Sequence, residues 1–191
     1  MFDILINENN VEYGIIKGSD KLFYIKVGNG GSIYGYANKY LSIAKQINDE
    51  YGFSILIASN PIELAIKECI KYDNDFIDRY FPNTKDIYAF GHSNGGQMLV
   101  SFAYLNPKIK KVLSVNVPLM INLHKIKEGI SKFNGEHMTM IYGEKDPSFR
   151  YVEILNSSSS SKFSYFTIKN ANHHFENMFE EFILLPKQFL F

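Results

Sequence analysis

The chain lacks several features that mark specialised classes of protein. Its 191 residues include one cysteine and no tryptophan. A single cysteine excludes an internal disulfide, and Cys69 stands in a helical pattern that favours a small core residue over a nucleophile. No apolar run approaches the roughly 20 residues of a membrane-spanning helix. Residues 1–8 show no basic segment ahead of a long apolar stretch, so we expect no secretory signal and a cytoplasmic location.

An excess of charge of either sign is also lacking. Lys and Arg together number 20, as do Asp and Glu, so the formal net charge is zero. A nucleic-acid-binding domain usually carries a basic excess or patch, and its absence argues against a nucleic-acid partner. The five histidines show no metal-ligand spacing, so we expect no metal site.

Short apolar runs alternate with segments of helical period along most of the chain. The alternation predicts strands at residues 3–6, 11–16, 22–27, 53–58, 87–90, 111–117, 137–142 and 163–168. It predicts helices at 36–50, 62–80, 149–155 and 176–185, the last ending near Pro186, and one more helix after Gly95. The segment 119–135 is mixed, and the serine run 157–161 is interpreted as a solvent loop.

Consecutive apolar strands with helical crossovers predict an α/β fold. Such strands form a mostly parallel sheet covered by helices on both faces, and the first two strands would add antiparallel strands at the N-terminal edge. The length is that of one domain, 1–191. The apolar tail 189–191 is expected to pack back on the sheet or to make a dimer contact, so we expect a monomer or homodimer.

The segment Gly91–Gly95 lies between a predicted strand and a predicted helix. Strand, Gly-x-Ser-x-Gly and helix in this order predict a nucleophile elbow around Ser93. Glycine is required because the turn is so tight that Cβ atoms on its two sides would collide. The alternative is a glycine-rich turn with Ser93 as an ordinary helix N-cap. His92, inside the elbow, is assigned no chemical role.

An acid and a histidine follow the serine, each on a loop after a predicted strand. Asp146 is the better candidate for the acid, with the nearby Glu144 in reserve. His173 and His174 both follow the last strand, and either could accept the proton from Ser93. The chain order serine, acid, histidine is expected of one particular fold. A tetrahedral intermediate also needs two N–H donors, which the backbone of Asn94 and the glycine-rich loop 28–32 could supply.

At these residues the chain resembles the α/β-hydrolase family, over nearly its whole length from about residue 11. The segments that carry the resemblance are the elbow 91–96, the Gly-x-x-Asp loop 143–146, the loop 170–173, similar to Gly-Ala-Gly/Asp-His, and the loop 27–32, similar to His-Gly-Asn-Gly-Gly-Ser.

The resemblance implies roles for particular residues. It selects His173 as the histidine of the triad and the N–H of Asn29 as the second oxyanion donor. Two positions depart from the family pattern, since Val27 stands in place of a histidine and Asn170 in place of a glycine. The first departure concerns the shape of the oxyanion loop more than the chemistry.

These observations predict a serine hydrolase that cleaves a carboxylic ester or thioester through an acyl-enzyme. Ser93 would attack, His173 would act as general base and then acid, and Asp146 would orient His173. No cofactor is needed, and the partner would be a small-molecule ester or an acyl-carrier substrate. Two alternatives are an acyltransferase with the same triad and a non-catalytic binding module. A peptidase is a weaker option.

The length of the segment between the predicted strands 111–117 and 137–142 decides whether a cap can cover the site. A crossover helix takes roughly a dozen residues, which leaves too few for a multi-helix cap. We therefore expect a lidless, open site whose rim comes from residues 30–36 and 119–125. Gly30, Leu119 and Met120 would contact the substrate, and the apolar residues 119–121 would flank its acyl chain. The alternative for the apolar residues 119–121 is simple helix packing.

Overall fold

An eight-stranded sheet is the centre of the computed structural model, which describes residues 1–158 and 160–191. The strand order is β1-β2-β4-β3-β5-β6-β7-β8. The strands are β1 (Ile4–Glu8), β2 (Val11–Ile16), β3 (Leu22–Lys26), β4 (Ser54–Ala58), β5 (Ile87–His92), β6 (Ile109–Val115), β7 (His137–Gly143) and β8 (Phe163–Ile168).

Strand directions divide the sheet into two parts. β1 pairs with β2, and β2 with β4, in antiparallel fashion, whereas all other neighbouring strands are parallel. Asn9 and Asn10 join the first two strands, and both have positive φ, as a two-residue hairpin turn requires. The prediction of a mostly parallel sheet with antiparallel strands at the N-terminal edge is confirmed.

Helices cover both faces of the sheet. They are α1 (Lys39–Tyr51), α2 (Ile66–Tyr80), α3 (Asn94–Phe102), α4 (Leu123–Lys132) and α5 (Phe179–Leu190). Alternate residues of a strand point to opposite faces. In β4, Ile55 and Ile57 therefore pack with α1 and α5, whereas Leu56 and Ala58 pack with α2, α3 and α4. Cys69 on α2 is fully buried against α3, as predicted for a core residue.

The bounds of α2 and α5 differ from the sequence predictions. α2 begins at Ile66 rather than residue 62, because the Glu68 carboxylate accepts a hydrogen bond from the Ala65 N–H and so caps the helix there. α5 begins at Phe179 and continues through Pro186, although proline supplies no N–H to the helix. Burial of Leu190 holds the last turn against the sheet despite the missing hydrogen bond.

The remaining observations concern a short helix, the serine loop and the length of the helices. The segment Phe149–Ser157 is a 3-10 helix, not the predicted short α-helix. The predicted serine loop 157–161 includes Ser159, which lies outside the described residues. In the described part of the chain, none of the helices has the length and apolar character needed to cross a bilayer.

A buried ion pair lies beneath the carboxyl end of β3. Lys26 Nζ is 2.7 Å from an oxygen of Asp73 on α2, and both side chains are almost fully buried. Two tyrosine hydroxyls also donate to the Asp73 carboxylate, from Tyr13 at 3.1 Å and Tyr24 at 2.6 Å. Lys26 Nζ donates in addition to the carbonyl oxygen of Ser59 at 2.7 Å. Each buried charge is thus both paired and hydrogen-bonded, as burial of charge requires.

We predict that Asp73→Asn lowers the free energy of unfolding by about 3–5 kcal/mol, because it leaves Lys26 as a buried cation without a counter-charge. Urea unfolding measures the change. The matched control on the same helix is Asp78→Asn, since Asp78 pairs with Lys108 at 2.7 Å but is 64% exposed. An exposed pair contributes less than about 1 kcal/mol. Equal losses in the two variants would contradict the expectation.

Candidate active site

The loop between β5 and α3 holds Ser93 in a strained conformation. Ser93 has φ 55° and ψ −124°, a region that side-chain-bearing residues rarely adopt. A Cβ atom on Gly95 would lie 2.3 Å from the carbonyl oxygens of Lys26 and Val27. A Cβ atom on Gly91 would lie 2.7 Å from the backbone on the other side of the turn. The two glycines of the motif are therefore required sterically.

Three side chains from three loops form one hydrogen-bonded chain. Ser93 Oγ lies 3.0 Å from His173 Nε2, and His173 Nδ1 lies 2.5 Å from Asp146 Oδ2. Because a carboxylate only accepts hydrogen bonds, Nδ1 carries the proton and Nε2 is left to accept from the Ser93 hydroxyl. The Asp146 side chain is 1% exposed, and its other oxygen accepts from the Ser148 N–H at 2.7 Å.

The two reserve candidates lie outside this chain of hydrogen bonds. His174 is exposed and lines a different cavity, described below. The Glu144 carboxylate accepts from the Asn170 N–H at 3.0 Å and so holds the histidine loop from its far side. The structure therefore brings together Ser93, Asp146 and His173 and leaves His174 and Glu144 out.

Two backbone N–H groups adjoin Ser93. Asn94 is the first residue of α3, so its N–H has no partner within the helix. Asn29 lines the same cavity as Ser93, and its N–H has no acceptor among the residues that the structure describes. Gly30, by contrast, donates its N–H to the Asn60 carbonyl oxygen at 2.7 Å. The Asn60 side chain donates to Asn94 Oδ1 at 2.9 Å, which joins the loop to the elbow.

The cavity beside Ser93 has a volume of about 390 Å³ and is open to solvent. Its remaining walls come from Pro118, Ile121, Asn29, Asn94 and the segment 146–148, together with His173. No cap covers it, because the described segment 116–136 holds only a 3-10 turn (Leu119–Ile121) and α4. The prediction of a lidless structure is confirmed.

Of the residues predicted to contact the substrate, the structure places Ile121 at this cavity but not Gly30, Leu119 or Met120. Leu119 is fully buried in the core on the α4 side, so its predicted contact with an acyl chain is wrong. The turn that follows Pro118 sends Leu119 inward and leaves Ile121, 72% exposed, at the cavity. Met120 and Gly30 are exposed but lie outside the cavity lining.

His92 is a buried residue of the site that the sequence analysis left without a role. Its Nε2 lies 2.8 Å from the carbonyl oxygen of His173, and its Nδ1 lies 3.3 Å from the Tyr40 hydroxyl. Since the carbonyl can only accept, Nε2 carries the proton and Nδ1 accepts from Tyr40. Burial lowers the pKa of His92 well below its usual range, with nearby Lys39 adding to the effect, so the ring is neutral.

Asn116 is a second residue that the sequence analysis missed. It follows β6 with φ 51°, and it is fully buried. Its Nδ2 donates to the carbonyl oxygens of Asn172 at 3.1 Å and His173 at 3.0 Å, while its Oδ1 accepts from the Gly143 N–H at 2.8 Å. One amide thus joins the acid loop to the histidine loop. The only indication of this role in the sequence was the presence of a polar residue inside the predicted apolar strand 111–117.

We predict that His92 makes stability depend on pH below its unfolded pKa of about 6.5. The folded pKa is lowered, so the unfolded chain binds the extra proton. The stability from neutral His92 is complete above that pH and is lost as pH falls toward the folded pKa. Urea unfolding should show wild-type stability falling more steeply than that of His92→Gln, by up to about 1.4 kcal/mol per pH unit.

The control for this measurement is His124→Gln, because His124 is exposed on α4. This variant should keep the wild-type slope. If His92→Gln also keeps the wild-type slope, His92 is not a buried neutral histidine.

Several solved structures share the arrangement of strands and helices of this chain. Est1E from Butyrivibrio proteoclasticus has a TM-score of 0.81 at 14% identity, covering 100% of this chain and 98% of its own. An alpha-beta serine hydrolase homologue from Coxiella burnetii has a TM-score of 0.75 at 20% identity, with coverage of 97% and 96%. XC6422 from Xanthomonas campestris, a serine hydrolase without lid, has a TM-score of 0.69 at 11% identity, with coverage of 96% and 91%.

No protein-family model and no curated protein matches the chain in sequence. The likeness to the solved structures is therefore one of fold. It extends over nearly the whole of both chains. The Xanthomonas structure also lacks a lid.

Proposed function

We propose that this chain, which has the α/β-hydrolase fold, is a serine hydrolase acting on a carboxylic ester or thioester through an acyl-enzyme. The observation that carries the proposal is the hydrogen-bonded order Ser93, His173, Asp146 at the open end of the sheet. A serine hydroxyl is a weak nucleophile until a base within hydrogen-bond reach can take its proton. His173 Nε2 is at that distance and in the accepting tautomer.

In the first half of the reaction, Ser93 Oγ attacks the carbonyl carbon while its proton passes to His173 Nε2. His173 then gives this proton to the departing alcohol or thiol, and the acyl group remains bonded to Ser93. In the second half, His173 takes a proton from the attacking water and returns it to Ser93 Oγ as the acid leaves. Asp146 holds the ring in position and stabilises the imidazolium formed in each half.

The negative oxygen of each tetrahedral intermediate needs preorganised donors. We assign this role to the backbone N–H groups of Asn29 and Asn94. Two observations support the assignment: both residues line the cavity of Ser93, and the Asn94 N–H belongs to the positive end of the α3 dipole. Asn60 links the loop of Asn29 to the elbow, because it accepts from the Gly30 N–H and donates to the Asn94 side chain. This link keeps the two loops at a fixed separation.

The shape of the cavity suggests the kind of substrate. It is open to solvent, and its apolar walls are Pro118, Ile121 and Pro147. Such a site excludes little water and encloses little of the acyl chain, so it should discriminate weakly between acyl lengths. It could take a small ester or an acyl group presented on a larger carrier.

We predict that Ser93→Ala lowers the hydrolysis of p-nitrophenyl acetate by about 10³-fold or more while the melting temperature is kept. The same variant should no longer be labelled by a fluorophosphonate. Ser131→Ala is the control, because Ser131 is exposed on α4, and it should behave as the wild type. Activity or labelling that survives in Ser93→Ala would refute the proposed nucleophile.

The neighbouring histidines provide a matched pair of variants. We predict that His173→Ala costs about as much activity as Ser93→Ala, because members of a triad act as a unit. His174→Ala should cost far less, since no hydrogen bond joins His174 to Ser93 or Asp146. Steady-state hydrolysis of the same ester measures both. The reverse order of losses would assign the base to His174.

A further inference from the structure

A second and larger cavity lies on the other side of the histidine loop, between the start of α1 and the start of α5. Its volume is about 460 Å³. Its walls come from Tyr36 and Lys39 on one side and from residues 174–177, Phe179 and Phe182 on the other. It shares no lining residue with the cavity of Ser93, but His173 and His174 place the two cavities on adjacent residues.

Lys39 is the unusual residue of this cavity. It is 7% exposed, and its Nζ has no hydrogen-bond acceptor and no carboxylate partner in the described part of the chain. The ammonium lies 4.3 Å from the centre of the Phe182 ring, which stabilises the charge but accepts no conventional hydrogen bond. Glu176 also lines the cavity, but its carboxylate accepts from Asn172 instead. Buried charges are normally paired. Lys39 departs from this rule, because it presents an unpaired cation to the cavity.

The backbone on both sides of the cavity is strained. Ala37 and Asn38 have φ of 49° and 58°, and Phe175 and Asn177 have φ of 57° and 61°. Positive φ is a genuine outlier for a bulky residue such as phenylalanine. Strain of this kind persists where the surrounding structure maintains it, and it gathers at ligand sites.

We propose that this cavity binds a small monocarboxylate with an aromatic or otherwise apolar body. The carboxylate would pair with Lys39 Nζ, and the body would pack on the rings of Phe179 and Phe182. A single ammonium matches a single negative charge. A phosphate dianion fits less well, because the wall has one cation and also carries the Glu176 carboxylate.

The charge of Lys39 gives the proposed binding a pH dependence. Burial lowers the pKa of Lys39 to about 8, so the ammonium is lost as pH rises from 7 to 9. The titratable groups facing it are Tyr36, Tyr40, His92, His174 and Glu176. Burial lowers the pKa of both histidines, so they are neutral over this range. Carboxylate affinity should therefore fall as pH rises through 8.

The first experiment compares 3-phenylpropionate with its neutral amide by calorimetric titration of the wild-type protein at pH 7 and pH 9. We expect the acid to bind about tenfold or more tightly than the amide at pH 7, as for a charged hydrogen bond, and to lose this advantage at pH 9. Binding of the acid should be the same in Ser93→Ala, so the result does not depend on the proposed catalytic function.

The second experiment locates the ligand. Lys39→Met should weaken binding of the acid about tenfold or more and leave the amide unchanged. Lys187→Met is the control, because Lys187 is exposed and paired with Glu50, and it should bind both as the wild type does. In the wild type, the acid should shift the imidazole resonances of His174 but not those of the distant His137.

Equal affinity for acid and amide at pH 7 would overturn the proposal, as would unchanged acid binding in a folded Lys39→Met. A shift of His173 without a shift of His174 would place the acid in the other cavity and overturn it as well. If Lys39→Met does not fold, the acid–amide comparison and the His174 resonance in the wild-type protein decide the question.

Discussion

The contact of the first turn of α3 with the end of β3 is the constraint on which the site depends. Only a glycine at position 95 lets the helix backbone approach the carbonyl groups of Lys26 and Val27. That approach places Ser93 beside the loop that holds Asn29. On the same face of the sheet as α3, the Lys26 side chain is paired with Asp73 of α2, so an ion pair also holds the strand end. A larger residue at position 95 would separate Ser93 from this loop.

The parallel strands bring the other two loops to the same edge, because parallel strands have their carboxyl ends together. Sheet geometry alone brings loops near one another, but it does not align side chains to a hydrogen-bond length. Buried polar side chains supply that alignment. Asn116 joins the acid loop to the histidine loop, and His92 joins the histidine loop to Tyr40. The His173 carbonyl oxygen accepts from both, so its ring is positioned through its own backbone.

The Ser93 cavity and the Lys39 cavity lie on opposite sides of this same loop. His173 lines one cavity and His174 the other, and the two are the central residues of a turn closed by the Phe175 N–H on the Asn172 carbonyl oxygen at 3.2 Å. The strained residues Asn170 and Phe175 stand at the two ends of the segment, with φ of 62° and 57°. The two histidines look equivalent in sequence because they are adjacent. They differ in structure because the loop presents one of them to each cavity.

The sequence by itself determined the sheet, its antiparallel edge, the elbow and the lack of a lid. These follow from local signals: apolar periodicity, glycine at fixed offsets and the length of the segment between two strands. Tertiary structure alone decided which residues of segment 119–121 face the cavity, since a turn of three residues buries Leu119 and exposes Ile121. It also decided the roles of Asn116, His92 and Lys39. Each role depends on atoms that are distant in sequence and adjacent in space, and no local pattern records whether a buried polar group finds a partner.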